Sequence, residues 1–142
     1  MKAEEIIRLG GLVFDRIEEG FDHYESEVIT KSSPELYQIL MEMIQKNGWE
    51  NSFVDFYFGR LLKEEQERIL QVVPVYWHDI LKQYEENQEI YYPLTENLLK
   101  LTWFLTDHEY LFSTYYFCKE PCTIWGNYNN TLVKFYKKKE VT

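Results

Sequence analysis

The chain opens on a helical repeat of apolar positions. Ile6, Leu9, Val13, Ile17, Gly20/Phe21, Tyr24 and Val28 recur every three or four residues, which sets them on one face of a 3.6-residue period. The pattern predicts an amphipathic first helix. It is bent at Gly10-Gly11 or begins at Leu12, because a glycine costs about 1 kcal/mol in a helix interior. Lys31-Ser32-Ser33-Pro34 is a helix start, with Ser33 as N-cap and Pro34 at the first helical position. Leu36, Ile39/Leu40 and Met43/Ile44 supply its buried stripe, and Asn47-Gly48 ends it. Asn51 or Ser52 then caps a third helix with Phe53, Phe56/Tyr57 and Leu61 facing inward. Glu64 to Val73 reads as a fourth. Pro74 kinks or restarts the chain, and Val75, Trp77/His78, Leu81 and Tyr84 carry the period to about Glu86. Asn87 to Pro93 reads as a polar loop, and Thr95 caps a helix through Leu98, Leu99, Thr102/Trp103 and Leu105.

The C-terminal third is less regular. Thr106-Asp107-His108-Glu109 fits a capping box and predicts a helix from Asp107 to about Phe117, although Phe112 to Phe117 is also rich in strand-favouring aromatics. Thr123–Tyr128 and Thr131–Tyr136 flank Asn129-Asn130, which predicts a two-residue hairpin turn. That register pairs Ile124 with Phe135 and Gly126 with Val133, and sets Trp125 opposite Lys134, where an ammonium could sit over the indole. The expected fold is α+β but mainly α. Five to six amphipathic helices pack as one domain, helical over 1–118, with a C-terminal β-hairpin at 123–136 and a basic tail at 137–142.

Composition adds limits to this outline. A chain of 142 residues suits one domain and can bury a core without metal or disulfide. With 45% hydrophobic and 27% charged residues, it falls outside the disordered, collagenous and coiled-coil classes. The net charge of −9 is uneven: residues 1–50 carry −6, 51–98 carry −5 and 99–142 carry +2. Such a surface repels phosphate backbones, so direct nucleic-acid binding is not expected. Met1-Lys2-Ala3-Glu4-Glu5 lacks the basic and apolar regions of a signal peptide, and no stretch is apolar enough to span a membrane, so a cytoplasmic protein is expected. Cys118 and Cys122 are spaced C-x3-C, which matches neither the C-x-x-C redox spacing nor half of a zinc site; two reduced thiols in or near the core are expected.

Motifs for chemistry are missing. His23, His78 and His108 each neighbour a carboxylate, yet no two share a helix face at metal-ligand spacing. There is no G-x-S-x-G elbow, P-loop or G-x-G-x-x-G. No metal or cofactor is expected, and an enzyme is the lesser reading.

What remains is a surface. Asp15, Glu18, Glu19, Asp22 and Glu25 line the outer face of the predicted first helix with Arg16 as their only cation, although like charges at three and four residues' spacing repel by a few tenths of a kcal/mol each. A cationic partner would offset that repulsion and be steered in by the field. Tyrosine and tryptophan supply rigid amphipathic contact area, which adds Tyr91, Tyr92 and Trp125 to the candidate partner-binding residues. In being short, acidic, aromatic-rich and without a catalytic motif, the chain resembles bacterial toxin-immunity and phage anti-defence proteins. The likeness is compositional and carries over no residue. It implies a stoichiometric inhibitor that covers a basic partner, such as a toxin or nucleic-acid-processing effector, by occlusion or charge mimicry. Two rivals stand beside it: a small enzyme, with or without a metal, using the histidines and neighbouring carboxylates, and an oligomeric structural adaptor that adds strands at the hairpin edge Thr131–Tyr136.

Overall fold

The computed structural model describes residues 1–138. The predicted basic tail therefore lies, from residue 139 onward, outside the described residues. The mainly helical expectation is overturned. Of the described residues 46% are helical and 21% strand, and the strands form one six-stranded antiparallel sheet instead of an isolated hairpin. In chain order the elements are α1 (Ala3–Arg8), α2 (Ile17–His23), β1 (Glu25–Thr30), α3 (Ser33–Asn47), β2 (Ser52–Asp55), α4 (Lys63–Val72), α5 (His78–Lys82), β3 (Tyr91–Pro93), α6 (Glu96–Asp107), β4 (Thr114–Phe117), β5 (Cys122–Asn127) and β6 (Thr131–Tyr136). The sheet order is β1-β6-β5-β4-β2-β3.

Both faces of this sheet are covered. On one, Leu36, Leu40 and Ile44 of α3 and Leu98, Leu101 and Leu105 of α6 pack on Val54, Tyr115, Phe117, Ile124 and Leu132. On the other lies the N-terminal stretch through Tyr24, a strap that seals with two anchors. Ile6 covers Phe53, Tyr91, Tyr116 and Cys118, and further along Leu12 and Phe14 cover Val133 and Phe135. Successive strand residues point to opposite faces, so β2 and β4 are buried at every position. That explains the misreading of both segments as helix. A strand covered on two sides loses its polar alternation, and a short apolar run then fits a helical spacing equally well.

The predicted first helix is four pieces: α1, an extended strap, α2 and β1. Gly10 breaks it at φ 108°, where a Cβ would come within 2.9 Å of the Cys118 carbonyl oxygen. Val28-Ile29-Thr30 favours a strand, and β1 pairs with β6 from Glu25↔Tyr136 to Thr30↔Thr131. The Thr30 and Thr131 hydroxyls meet at 2.9 Å. The hairpin edge proposed for strand addition, Thr131–Tyr136, is therefore occupied by β1 within the chain itself.

Residues 107–117 are also corrected. Thr106 ends α6 instead of capping a new helix. Its Oγ1 accepts a hydrogen bond from the Ser113 amide at 3.1 Å, and Glu109 takes the left-handed conformation at φ 61° to turn the chain into β4. The β5–β6 hairpin exists, but its register is displaced by one residue. Asn127 pairs with Thr131 across a three-residue loop, which sets Ile124 opposite Lys134, Trp125 opposite Val133 and Gly126 opposite Leu132. Asn129 and Asn130 have the positive φ expected of them, but the loop is held from outside the hairpin: the Asn129 amide donates to Glu109 Oε2 at 2.8 Å. The Lys134 ammonium consequently lies over Tyr136, 6.0 Å from the ring centre, and not over the indole. Three further readings shift: Ser32 and not Ser33 caps α3, the helix expected from Val75 to Glu86 is a short turn followed by α5, and the loop expected at Asn87–Pro93 ends in β3, which pairs with β2. The other helical readings hold. α3 runs from Ser33 to Asn47 with Gly48 at φ 86° beyond it, α4 matches Glu64–Val73 closely, and Thr95 Oγ1 accepts the Leu98 amide at 3.2 Å.

Phe135 is fully buried beneath Phe14 and Phe21. Phe135→Ala should open a cavity under the strap and cost about 3–5 kcal/mol in urea unfolding, whereas Val28→Ala, on the exposed edge strand, should cost under about 1 kcal/mol.

Candidate functional site

The five predicted carboxylates do not share one helix face. Asp15 lies in the extended strap, Glu18, Glu19 and Asp22 are on α2, and Glu25 opens β1, where Glu27 follows. Four of the five are exposed, and Glu19 is half-buried. Their helix is short and packs against β1, so the charges follow a helix–strand corner instead of a stripe, with α2 on the strap side of the sheet and Glu25 and Glu27 on the helix-covered side. The ion pair found in this corner, among the described residues, joins Arg16 to Glu19 at 3.5 Å, with the arginine largely in water and the glutamate half-buried. β1 is also an edge of the sheet. The Lys31 amide donates to the Asn130 carbonyl at 3.2 Å, and the alternation of an antiparallel ladder then points the peptide groups of Ser26, Val28 and Thr30 away from β6.

The tyrosines lie elsewhere. Tyr91 is in β3 with only 9% of its surface exposed, its ring edge-on to Tyr116 at 5.8 Å. Tyr92 is half-buried, packs edge-on to Tyr84 at 5.1 Å and donates its hydroxyl to the Glu89 carbonyl at 2.6 Å. Trp125 is half-buried and stacks on Phe14, with ring centres 5.7 Å apart and planes within 7°.

Two of the predicted residues do come together. Asp15 and Trp125 line an open cavity of about 380 Å³ on the strap face, where the strap turns into α2. Tyr57, Phe112, Thr114 and Asp55 also stand in its wall. Asp55 was read as part of a helix, and neither it nor Tyr57 was singled out. The available signal was a lone acid inside the apolar run Phe53-Val54-Asp55-Phe56-Tyr57-Phe58. At the end of β2, Asp55 is 5% exposed. Its Oδ1 accepts the Thr114 amide at 2.8 Å and its Oδ2 accepts the Tyr116 hydroxyl at 3.2 Å. Burial disfavours the charged form more than these bonds favour it, and the carboxyl is pushed up to about 7. The same desolvation, with Asp55 and Asp15 nearby, pushes Tyr57 up to about 12 and raises Tyr91 and Tyr116. Of these phenols Tyr57 lines the cavity, beside a carboxyl whose burial favours its neutral form.

No histidine lines it. His23 ends α2, His78 opens α5, and His108 follows α6 with its ring stacked on Phe104 at 4.2 Å and Nδ1 2.9 Å from the Phe104 carbonyl. Among the described residues no three His, Cys, Asp or Glu side chains gather into a metal-holding group. Cys118 and Cys122 are free and buried on opposite faces of the sheet: the Cys118 thiol lies 3.8 Å from the Ile6 carbonyl under the strap, while Cys122 belongs to the helix-side core. Among the described residues, no helix is long and apolar enough to cross a membrane. Comparison with protein-family models, with curated proteins and with solved structures finds no match to this chain.

Two measurements follow from this geometry. A carboxyl raised in the native state favours folding only while protonated, so its contribution is present below the unfolded value near 4 and is lost as pH rises towards 7. Wild-type stability should therefore lose roughly 1.4 kcal/mol per pH unit relative to Asp55→Asn across that window, read from urea midpoints, with the gap constant above it. Burial pushes both thiols up to about 11. The native protein should then react with a disulfide reagent at pH 8 far more slowly than the urea-unfolded chain, which should titrate two thiols.

Proposed function

We propose that the chain is a cytoplasmic protein-binding module that docks a basic protein against its acidic α2–β1 corner. By covering that surface it would act as a stoichiometric inhibitor, for instance of an enzyme that handles nucleic acid. One observation carries this reading. Asp15, Glu18, Glu19, Asp22, Glu25 and Glu27 follow one another along the two sides of the α2–β1 corner, where the ion pair formed among the described residues is Arg16–Glu19. Concentrated like charge works against the fold and is offset only in part, by Arg16 beside Glu19 and by Lys134 opposite Glu27. A cationic surface would supply the missing counter-charge, and the field of the corner would accelerate its arrival.

The outward peptide groups of Ser26, Val28 and Thr30 support the same reading. An open strand edge beside the charges lets a partner fix its orientation by main-chain hydrogen bonds. The charges also protect this edge, because Glu25 and Glu27 discourage indiscriminate strand pairing in the absence of the partner.

The test is capture of partners from native-host lysate by the wild-type chain and by the triple variant Glu18→Lys, Glu19→Lys, Asp22→Lys, at low and at near-molar salt. A protein held by the wild type should have a basic surface, release as salt rises and fail to bind the variant, with an on-rate reduced at least about tenfold. Binding indifferent to both salt and charge reversal would remove the electrostatic basis of the proposal.

A further inference from the structure

We propose that the cavity beside the acidic corner is a seat for an arginine side chain presented by the partner. This rests on the binding-module reading and names the residue that such a partner would bury most deeply. Size, charge and wall chemistry lead to the same ligand. At about 380 Å³ the space lies near the lower end of ligand pockets, large enough for one long side chain and far larger than a single water needs. Its wall holds the carboxyls of Asp15 and Asp55 and no lysine, arginine or histidine. The nearby Arg60 is already engaged, with its Nε donating to the Gln88 carbonyl at 2.7 Å. The two carboxyls repel an anion and favour a cation over a neutral ligand.

The choice of arginine over lysine comes from shape. The Thr114 amide and hydroxyl and the Tyr116 hydroxyl occupy acceptor sites of Asp55, so the sites left for a ligand are divided between Asp55 and Asp15, which suits a planar group carrying several N–H donors. Tyr57, Phe112 and Trp125 add aromatic surface, on which a weakly hydrated guanidinium stacks better than a compact ammonium. Arginines buried in such a setting are frequent anchors of protein interfaces.

The seat also couples binding to protons. The groups that act on Asp55 are the Thr114 amide and hydroxyl and the Tyr116 hydroxyl, which hydrogen-bond to it, while Asp15 and Arg60 face the same region and act on Tyr57 and Tyr91. An entering guanidinium favours the ionised carboxylate, so binding expels the Asp55 proton and strengthens as pH rises through about 7.

The experiment titrates the full chain with acetyl-Gly-Arg-Gly-amide, following the indole N–H resonance of Trp125, assigned by Trp125→Phe. Parallel titrations use the lysine and citrulline peptides and free agmatine. The arginine peptide should saturate the shift in the millimolar range and bind about tenfold more weakly at pH 6 than at pH 8. The lysine peptide should bind several-fold more weakly than arginine, and the neutral citrulline isostere should not bind. Asp55→Asn should abolish binding and Asp15→Asn should weaken it, while the pH dependence of the wild type tests the same point without any variant. No saturation by the arginine peptide, equal binding of citrulline, or an affinity that ignores pH would overturn the seat. Binding of agmatine with exclusion of the peptide would also overturn it, because the cavity would then serve a free small cation. The α2 triple variant lies outside the cavity and should lose the captured partner while keeping the peptide. If the wild type captures its partner in a salt-dependent way yet ignores the peptide, the arginine seat fails and the docking surface stands.

Discussion

Burial of β2 and β4 on both faces is the constraint on which the rest of the molecule depends. All four residues of each strand are enclosed, so both sides of the sheet need apolar cover. The helices α3 to α6 supply one layer. The other is only a strap, and it seals its face with a few large side chains: Ile6, Leu12 and Phe14. Part of the aromatic load of 18% is used here. A thin layer must exclude water with bulk, and rings packed edge-on and stacked, as Phe14 is against Phe135 at 5.1 Å and Trp125 at 5.7 Å, do so over the largest area per residue.

The same constraint makes Asp55 unusual. A carboxyl placed in a strand covered on two sides loses its hydration, and hydrogen bonds from Thr114 and Tyr116 return only part of it. Where the strap turns away from the sheet at Asp15, the cover is incomplete and a cavity opens over that carboxyl. The strap's outward side then continues into α2 and β1, which carry the exposed acids. One stretch of chain thus covers the sheet, borders the cavity and presents the charge. The buried and exposed carboxyls are parts of one region, although they are 40 residues apart in sequence for Asp15 and Asp55.

Much of the helical layer was legible along the chain. α3, α4 and α6 each lie beneath one face of solvent and one of core, so their apolar stripes repeat at helical spacing, and serine, proline, threonine and glycine mark their ends. The β5–β6 hairpin was legible too, because Asn129-Asn130 tolerates positive φ and the flanking residues favour strands. Its register was not. The anchor that displaces it by one residue is Glu109, which reaches the loop from 20 positions away. β1 was hidden within the helical spacing of Val28 with Ile17 and Tyr24. The acids of the candidate corner were recognisable as a concentration of charge, whereas Asp55 and Tyr57 looked like ordinary members of an apolar run.

Local sequence determined where the chain can cap a helix, where it can take positive φ, and that its negative charge is concentrated towards its first two-thirds. Those properties act over a few residues or simply add up. The tertiary structure alone decided that the apolar runs at 52–55 and 114–117 are strands, because the preference becomes definite only when distant segments satisfy their backbone hydrogen bonds. It also decided that Asp15, Asp55 and Trp125 share a cavity. No local periodicity encodes that meeting, since it is made by strand pairing across the sheet and by the strap folding back over it.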